Sequence, residues 1–101
     1  MDSQENQLLM LLKKYPDRKA AVITPSKKSK LPELKKNKFL LPNEMQIGNI
    51  LSIIRKEIFL KPQEALFLLI NNKLVSNTAT VSEVFEGEII KIEYTIENTF
   101  G

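Results

Sequence analysis

The chain contains no cysteine, no histidine and no tryptophan. The first two absences exclude disulfides, thiol nucleophiles, the usual zinc ligand sets and any side chain poised as a general base near neutral pH. Long apolar runs are also lacking: none approaches the roughly 18 residues that a membrane-spanning helix needs. The opening Met1-Asp2-Ser3-Gln4-Glu5-Asn6 has no basic segment of the signal-peptide kind, so the sequence predicts a cytoplasmic chain. Aromatic residues are absent between Lys19 and Lys38, where the basic residues are densest. That absence removes the stacking platforms by which RNA and single strands are usually held, so no nucleic acid is expected.

At 101 residues, 43% hydrophobic and 27% charged, with three glycines and five prolines, the composition is that of one globular domain. Twelve carboxylates remain as candidate catalytic groups. Glu83, Glu86, Glu88, Glu93 and Glu97 fall on solvated patterns, so no active site, metal or cofactor is expected. The net charge of +3 hides an asymmetry: residues 1 to 50 carry ten basic against five acidic groups, and residues 51 to 101 five against seven. All ten lie between Lys13 and Lys38, which predicts a positive surface suited to an acidic peptide or an anionic membrane.

Asp2 and Glu5 stand at capping-box spacing ahead of Leu8 to Leu12, predicting a helix that ends before Tyr15-Pro16. Lys19 to Thr24 reads as a short buried strand, and Ser26 to Lys35 as a basic loop. Lys36 to Leu41 alternates, with Lys36, Lys38 and Leu40 on one face and Asn37, Phe39 and Leu41 on the other. Its lysines and the following Pro42 predict a sheet edge. Asn43 is expected to cap a helix from about Glu44 to Ile58, whose core stripe is Ile47, Leu51, Ile54 and Ile58. Ile53 projects away from that stripe, with Ile50 at its margin and Met45 further round.

Leu66 to Ile70 reads as a strand buried on both faces, and Asn71-Asn72 as a tight turn into Lys73 to Val75. Thr80 and Glu83 predict a short capped helix over Val81 to Phe85, ended by Gly87. Glu88 to Ile96 is the last strand, with Ile90, Ile92, Tyr94 and Ile96 inward, Lys91, Glu93 and Thr95 outward, and Ile89 an isoleucine on the polar face. One long helix crossing a small mixed sheet gives an α+β fold, a ubiquitin-like β-grasp with one N-terminal helix before the sheet. A ferredoxin-like sandwich would need a second long helix, and Val81 to Phe85 is too short for it. The expected divisions are a helical extension over 1–14, the β-grasp domain over 15–96 and a tail over 97–101.

Five ordered blocks then become specific: Lys14-Tyr15-Pro16-Asp17-Arg18, the run Leu31 to Pro42, Ile54-Arg55-Lys56, the run Ala65 to Asn72, and Asn98-Thr99-Phe100-Gly101. Together they resemble the autophagy ubiquitin-like modifiers, the family that includes GABARAP and the microtubule-associated-protein light chains. The resemblance implies that Gly101 is activated by an ATP-dependent enzyme, passed through thioesters and joined to the amine of phosphatidylethanolamine, giving membrane association once lipidated. Activating, conjugating and deconjugating enzymes are the implied partners, with cargo receptors and adaptors that carry Trp/Phe/Tyr-x-x-Leu/Ile/Val motifs.

The same resemblance implies that the strand at Lys36 to Leu41 receives such a motif by strand addition between two apolar pockets. The aromatic pocket would be lined by Leu11, Ala20, Val22, Lys38, Leu40 and Ile89. The aliphatic pocket would be lined by Phe39, Leu41, Pro42, Met45, Ile50, Ile53 and Arg55, with Lys14, Arg18, Lys36 and Lys38 forming a basic patch. Ala20 stands where the family usually has proline and Glu57 where it usually has arginine, and Glu86-Gly87-Glu88 replaces a longer acidic loop. The chain begins near the family's second helix and ends on its glycine, which implies either a form made ready for conjugation or a sequence trimmed at that residue. An unconjugated adaptor using the same pockets, and a small basic nucleic-acid-binding domain, are the alternative readings.

Overall fold

In the computed structural model, the described residues are 3–85, 87 and 89–96, so Asp2 of the expected capping box and the whole expected tail, Gly101 included, lie outside them. Three helices, α1 (Ser3–Lys14), α2 (Ile47–Ile58) and α3 (Val81–Val84), alternate with five strands. The strands are β1 (Arg18–Pro25), β2 (Lys38–Pro42), β3 (Leu66–Ile70), β4 (Lys73–Leu74) and β5 (Ile89–Ile96). They form one sheet in the order β2-β1-β5-β3-β4. Its central pair, β1 and β5, is parallel, and every other pair is antiparallel. This is the expected β-grasp, with α1 ahead of the sheet.

Alternation along the strands gives the sheet two covered faces. Ala21 and Ile23 of β1, Leu41 of β2 and Ile90, Ile92 and Tyr94 of β5 join Ile47, Ile50, Leu51, Ile54 and Ile58 of α2 in the main core. On the other face α1 packs against β1 and β5, burying Leu8 and Ala20 apart from that core. β3 differs from the expectation of burial on both faces. Leu66, Leu68 and Ile70 are buried, while Phe67 and Leu69 between them are only half-buried. Thr95, expected to face water, is buried as the cross-strand partner of Phe67.

Helix α2 starts three residues later than Asn43 as a cap would require. The backbone of 43–46 is instead committed to the first turn of α3: Val81 N–H donates to Met45 O at 2.8 Å and Ser82 N–H to Asn43 O at 2.9 Å. The first helical donors, Ile47 and Gly48, find the carbonyls of Ala79 and Asn77, each at 2.9 Å, so no side-chain cap is needed. Gly48 suits this approach, since a Cβ there would stand 3.3 Å from Asn77 O. Downstream, the predicted turn chemistry is present. Asn71 and Asn72 take φ of 54° and 63°, as a tight hairpin turn demands. Thr80 N–H and Oγ1 both donate to Glu83 Oε1, at 3.1 and 2.8 Å. Those bonds hold the Glu83 carboxyl below its ordinary range, a stabilisation present above its unfolded-state pKa and lost as pH falls through the folded value.

Two local features bear on function. Tyr94 is 0% exposed, and its hydroxyl donates to Pro32 O, fastening the loop between β1 and β2 to the middle strand. Burial, with the Glu33 charge second, pushes its phenol pKa up. Phe59 closes α2 in the left-handed conformation (φ 55°, ψ 44°), the position where glycine is normally found, and is 90% exposed. Tyr94→Phe is expected to cost about 1 kcal/mol by removing that loop anchor, and Phe59→Gly to gain about 1 kcal/mol by relieving the left-handed backbone. Denaturant melts of both variants check these opposite signs.

Candidate functional site

The candidate site is built on the outer edge of β2. Of the β2 residues only Phe39 strongly favours extended backbone, and the strand is held chiefly by its register with β1: Ala20 opposite Leu40, Ala21 opposite Phe39 and Val22 opposite Lys38. Which backbone groups are used can be read from the flanking bonds, Ile23 N–H to Asn37 O at 2.8 Å and Asn43 N–H to Asp17 O at 3.0 Å. In an antiparallel pair, hydrogen-bonded and non-bonded positions alternate, so Phe39 and Leu41 face β1 while the N–H and C=O of Lys38 and Leu40 point outward. No described strand pairs with that edge. It therefore presents two donors and two acceptors to an extended peptide.

Beside the edge, on the α1 face, lies a cleft of about 420 Å³ lined by Gln7, Leu8, Leu11, Arg18, Lys36, Lys38, Phe39 and Leu40. It unites Leu11, Lys38 and Leu40 of the expected aromatic pocket with Arg18 and Lys36 of the expected basic patch. Lys14 lines an adjoining cleft with Gln7, Met10 and Leu11. The remaining aromatic-pocket residues are arranged in rows across the sheet. Leu40, Ala20 and Ile89 are direct cross-strand neighbours, and so are Lys38 and Val22. Ala20 is fully buried, Val22 and Ile89 are half-buried, and Ile89 lines a separate cleft with Glu83 and Val84.

The aliphatic set lies on the α2 face, and the structure divides it. Ile50, placed by pattern at the margin of the core stripe, is 1% exposed and belongs to the core, as does Leu41. Phe39 and Met45 are half-buried against that core, Pro42 is half-buried, and Ile53 stands 37% exposed. Arg55 is engaged within the fold, where its guanidinium donates to the carbonyls of Lys61 and Glu64 and closes the loop after α2.

Sequence reasoning missed Gln7 and Leu8 as lining residues, and it did not foresee that Phe39, packed on the α2-face core as its alternation predicts, also borders this cleft. The signal for Phe39 was present in Lys36, whose ammonium lies 5.7 Å from the ring centroid and keeps the ring beside the basic cleft. A similar contact, Arg18 over Tyr15 at 5.5 Å, positions the second cation. Asn43 Oδ1 is buried without a partner. Among the described residues, no cluster of three or more potential ligands could hold a metal ion, and no helix is long and apolar enough to cross a membrane.

A β-grasp sheet with an open, cleft-flanked edge defines a ubiquitin-like protein whose free strand has the geometry that strand addition uses. Comparison with known proteins narrows this. The family described as "Autophagy protein Atg8 ubiquitin like" matches residues 3–101. Autophagy-related protein 8e of Arabidopsis thaliana is 34% identical over 93 residues, covering 87% of this chain and 76% of that protein. Autophagy-related protein 8d of the same plant is 28% identical over 106 residues, covering 100% of this chain and 88% of that protein. The crystal structure of Trypanosoma brucei ATG8 superimposes with a TM-score of 0.81 at 24% identity, covering 94% of this chain and 86% of that one, a likeness of fold. The chain belongs to the Atg8 family of ubiquitin-like autophagy proteins.

The different burial of two neighbouring isoleucines gives a direct test of the α2 surface. Ile53→Ala is expected to cost under about 1 kcal/mol of stability, whereas Ile54→Ala, at 0% exposure, is expected to cost about 2 to 5. Denaturant melts of the two variants measure the difference; equal losses would place Ile53 in the core.

Proposed function

We propose that this protein is a modifier attached through Gly101 to phosphatidylethanolamine, and that it recruits proteins carrying Trp/Phe/Tyr-x-x-Leu/Ile/Val motifs to the membrane it decorates. The observation that carries the recruiting half is the open β2 edge, with its outward Lys38 and Leu40 backbone groups and the basic cleft beside it. An extended peptide bonded to that edge alternates its side chains between the two faces of the sheet. One anchor enters the cleft by Leu11, Lys38 and Leu40, and the other rests near Ile53, Phe39 and Met45. Lys36, Lys38 and Arg18 favour acidic residues ahead of the aromatic.

The attachment half is supported by family membership and by the terminal glycine in the sequence. With no Cβ, Gly101 fits a narrow enzyme channel. The chain has no cysteine and no histidine, so the thioester sulfurs and proton-transfer groups come from activating and conjugating enzymes, and this chain contributes only its carboxyl group. The resulting amide to the lipid amine places two acyl chains in the bilayer. Each buried CH₂ adds about 0.8 kcal/mol, so two chains anchor where one binds only marginally.

Three outcomes are expected. Gly101→Ala is to abolish lipid attachment with the fold unchanged, read by mass spectrometry and by membrane partition in cells; continued partition of this variant would contradict the attachment. A peptide of the form acidic-Trp-x-x-Leu is to bind on the order of micromolar, the burial of two anchors being largely offset by ordering of the peptide. Its double-alanine control is to give no heat in titration calorimetry. Lys38→Glu is to weaken the acidic peptide most at low salt, since exposed charges are screened over about 8 Å at physiological ionic strength.

A further inference from the structure

The register places several loops at one end of the sheet. Pro25 at the end of β1 pairs with Tyr94, Lys38 at the start of β2 pairs with Val22, and Leu66 at the start of β3 pairs with Ile96, the last residue of β5. The connection 26–37, the connection 59–65 and the point where the chain continues to Gly101 therefore share this end. Arg55, bonded to Lys61 and Glu64, holds the last turn of α2 against the second connection.

The first connection is a fixed platform. Ser26 N–H donates to Tyr94 O at 2.9 Å, Ser29 N–H and Oγ donate to Ser26 O at 3.0 and 2.9 Å, and Tyr94 is bonded to Pro32. Ser29 and Leu34 are buried, whereas Lys27, Lys28, Lys30, Lys35 and Lys36 are exposed. Glu33 is the one carboxylate among them, and Lys27, Lys28 and Lys30 make no side-chain hydrogen bond or ion pair with a described residue. The second connection begins with Phe59, 90% exposed in a conformation that favours glycine, with Lys61 exposed two residues on and Glu57 and Glu64 as its acidic neighbours. An aromatic side chain held at a cost to the fold points to a use outside the fold.

We propose that this end of the molecule seats on a bilayer carrying anionic headgroups, with Lys27, Lys28 and Lys30 against the lipid phosphates and carboxylates and Phe59 entering the interface. The proposal rests on the attachment of Gly101 to lipid, since the tail that follows Ile96 brings this end to the membrane. Basic residues beside an apolar side chain are the pairing that interfacial binding uses. A bilayer suits both halves of the surface, whereas a nucleic acid would use the charge and leave Phe59 without the row of stacking partners it normally finds. The β2 edge lies along the side of the sheet, so a seated molecule keeps its peptide groove open.

The chain has neither tryptophan nor cysteine, which makes a clean assay. Phe59→Trp introduces a single tryptophan, which can be excited apart from Tyr15 and Tyr94, and Gly101→Cys allows coupling to a maleimide-bearing lipid without any conjugating enzyme. Failure of lipidation in cells would therefore overturn the proposed function and leave this contact separately measurable. On vesicles of phosphatidylcholine with phosphatidylserine, the tryptophan emission is expected to shift to the blue, and on phosphatidylcholine alone to stay unshifted. Each lysine is worth about fivefold in the contact equilibrium, so Lys27→Glu, Lys28→Glu and Lys30→Glu together are expected to abolish the shift, with the corresponding glutamine variant intermediate. Phe59→Gly is expected to raise Tm yet leave the tethered protein more accessible to protease on anionic vesicles. Unchanged emission on anionic vesicles, equal shifts on both vesicle types, or a shift produced by a single-stranded oligonucleotide and not by vesicles would each overturn the proposal.

Discussion

The parallel pairing of β1 with β5 is the constraint on which the rest depends. It puts the first and last strands at the centre of the sheet, so β2, hairpinned to β1, becomes an edge by necessity. It also sends β1 and β5 out at the same end, which fixes where the basic connection and the C-terminal residues emerge. A parallel neighbour requires a crossover, and α2 with the two strands after it supplies that crossover while covering one face. The proposed peptide docking at the side and lipid attachment at the end would thus follow from one topological choice and use separate surfaces.

The two faces of the sheet serve the site unequally. The α2 face is a continuous core in which Ile47, Ile54, Leu68 and Ile92 are almost wholly buried, and it leaves only a shallow apolar margin at Ile53. The α1 face buries little beyond Leu8 and Ala20, and α1 leaves Met10 and Leu11 in solvent. That looser packing opens the cleft between helix and edge strand. Lysines and Arg18 around its rim give it the positive charge that the proposed acidic motif needs, and Lys36 and Arg18 make aromatic contacts with Phe39 and Tyr15.

Much of this was legible in the sequence because it is local. The 66–70 strand, the Asn71-Asn72 turn and the Thr80 to Glu83 capping box each carry their signal within a few residues, and each appears where expected. Non-local partners account for the rest. Asn43 looks like a helix cap until residues 77–82 take the same backbone, and Ile50 looks marginal until the assembled core encloses it. The loop that occupies Arg55 and the cross-strand setting that buries Thr95 are likewise contacts no window of sequence contains. Ile53 and Ile89 were conspicuous as apolar residues on polar faces; Phe59 was not, since only its backbone angle and exposure set it apart.

The proposed peptide recruitment depends most directly on the outward backbone of β2. Amide hydrogen exchange, residue by residue, with and without an acidic-Trp-x-x-Leu peptide, measures it. Phe39 and Leu41 amides, already bonded to β1, are predicted to be protected in both states, whereas Lys38 and Leu40 amides are predicted to exchange freely alone and to become protected when the peptide adds as a strand. Peptide binding that leaves Lys38 and Leu40 exchanging as before would contradict docking at this edge.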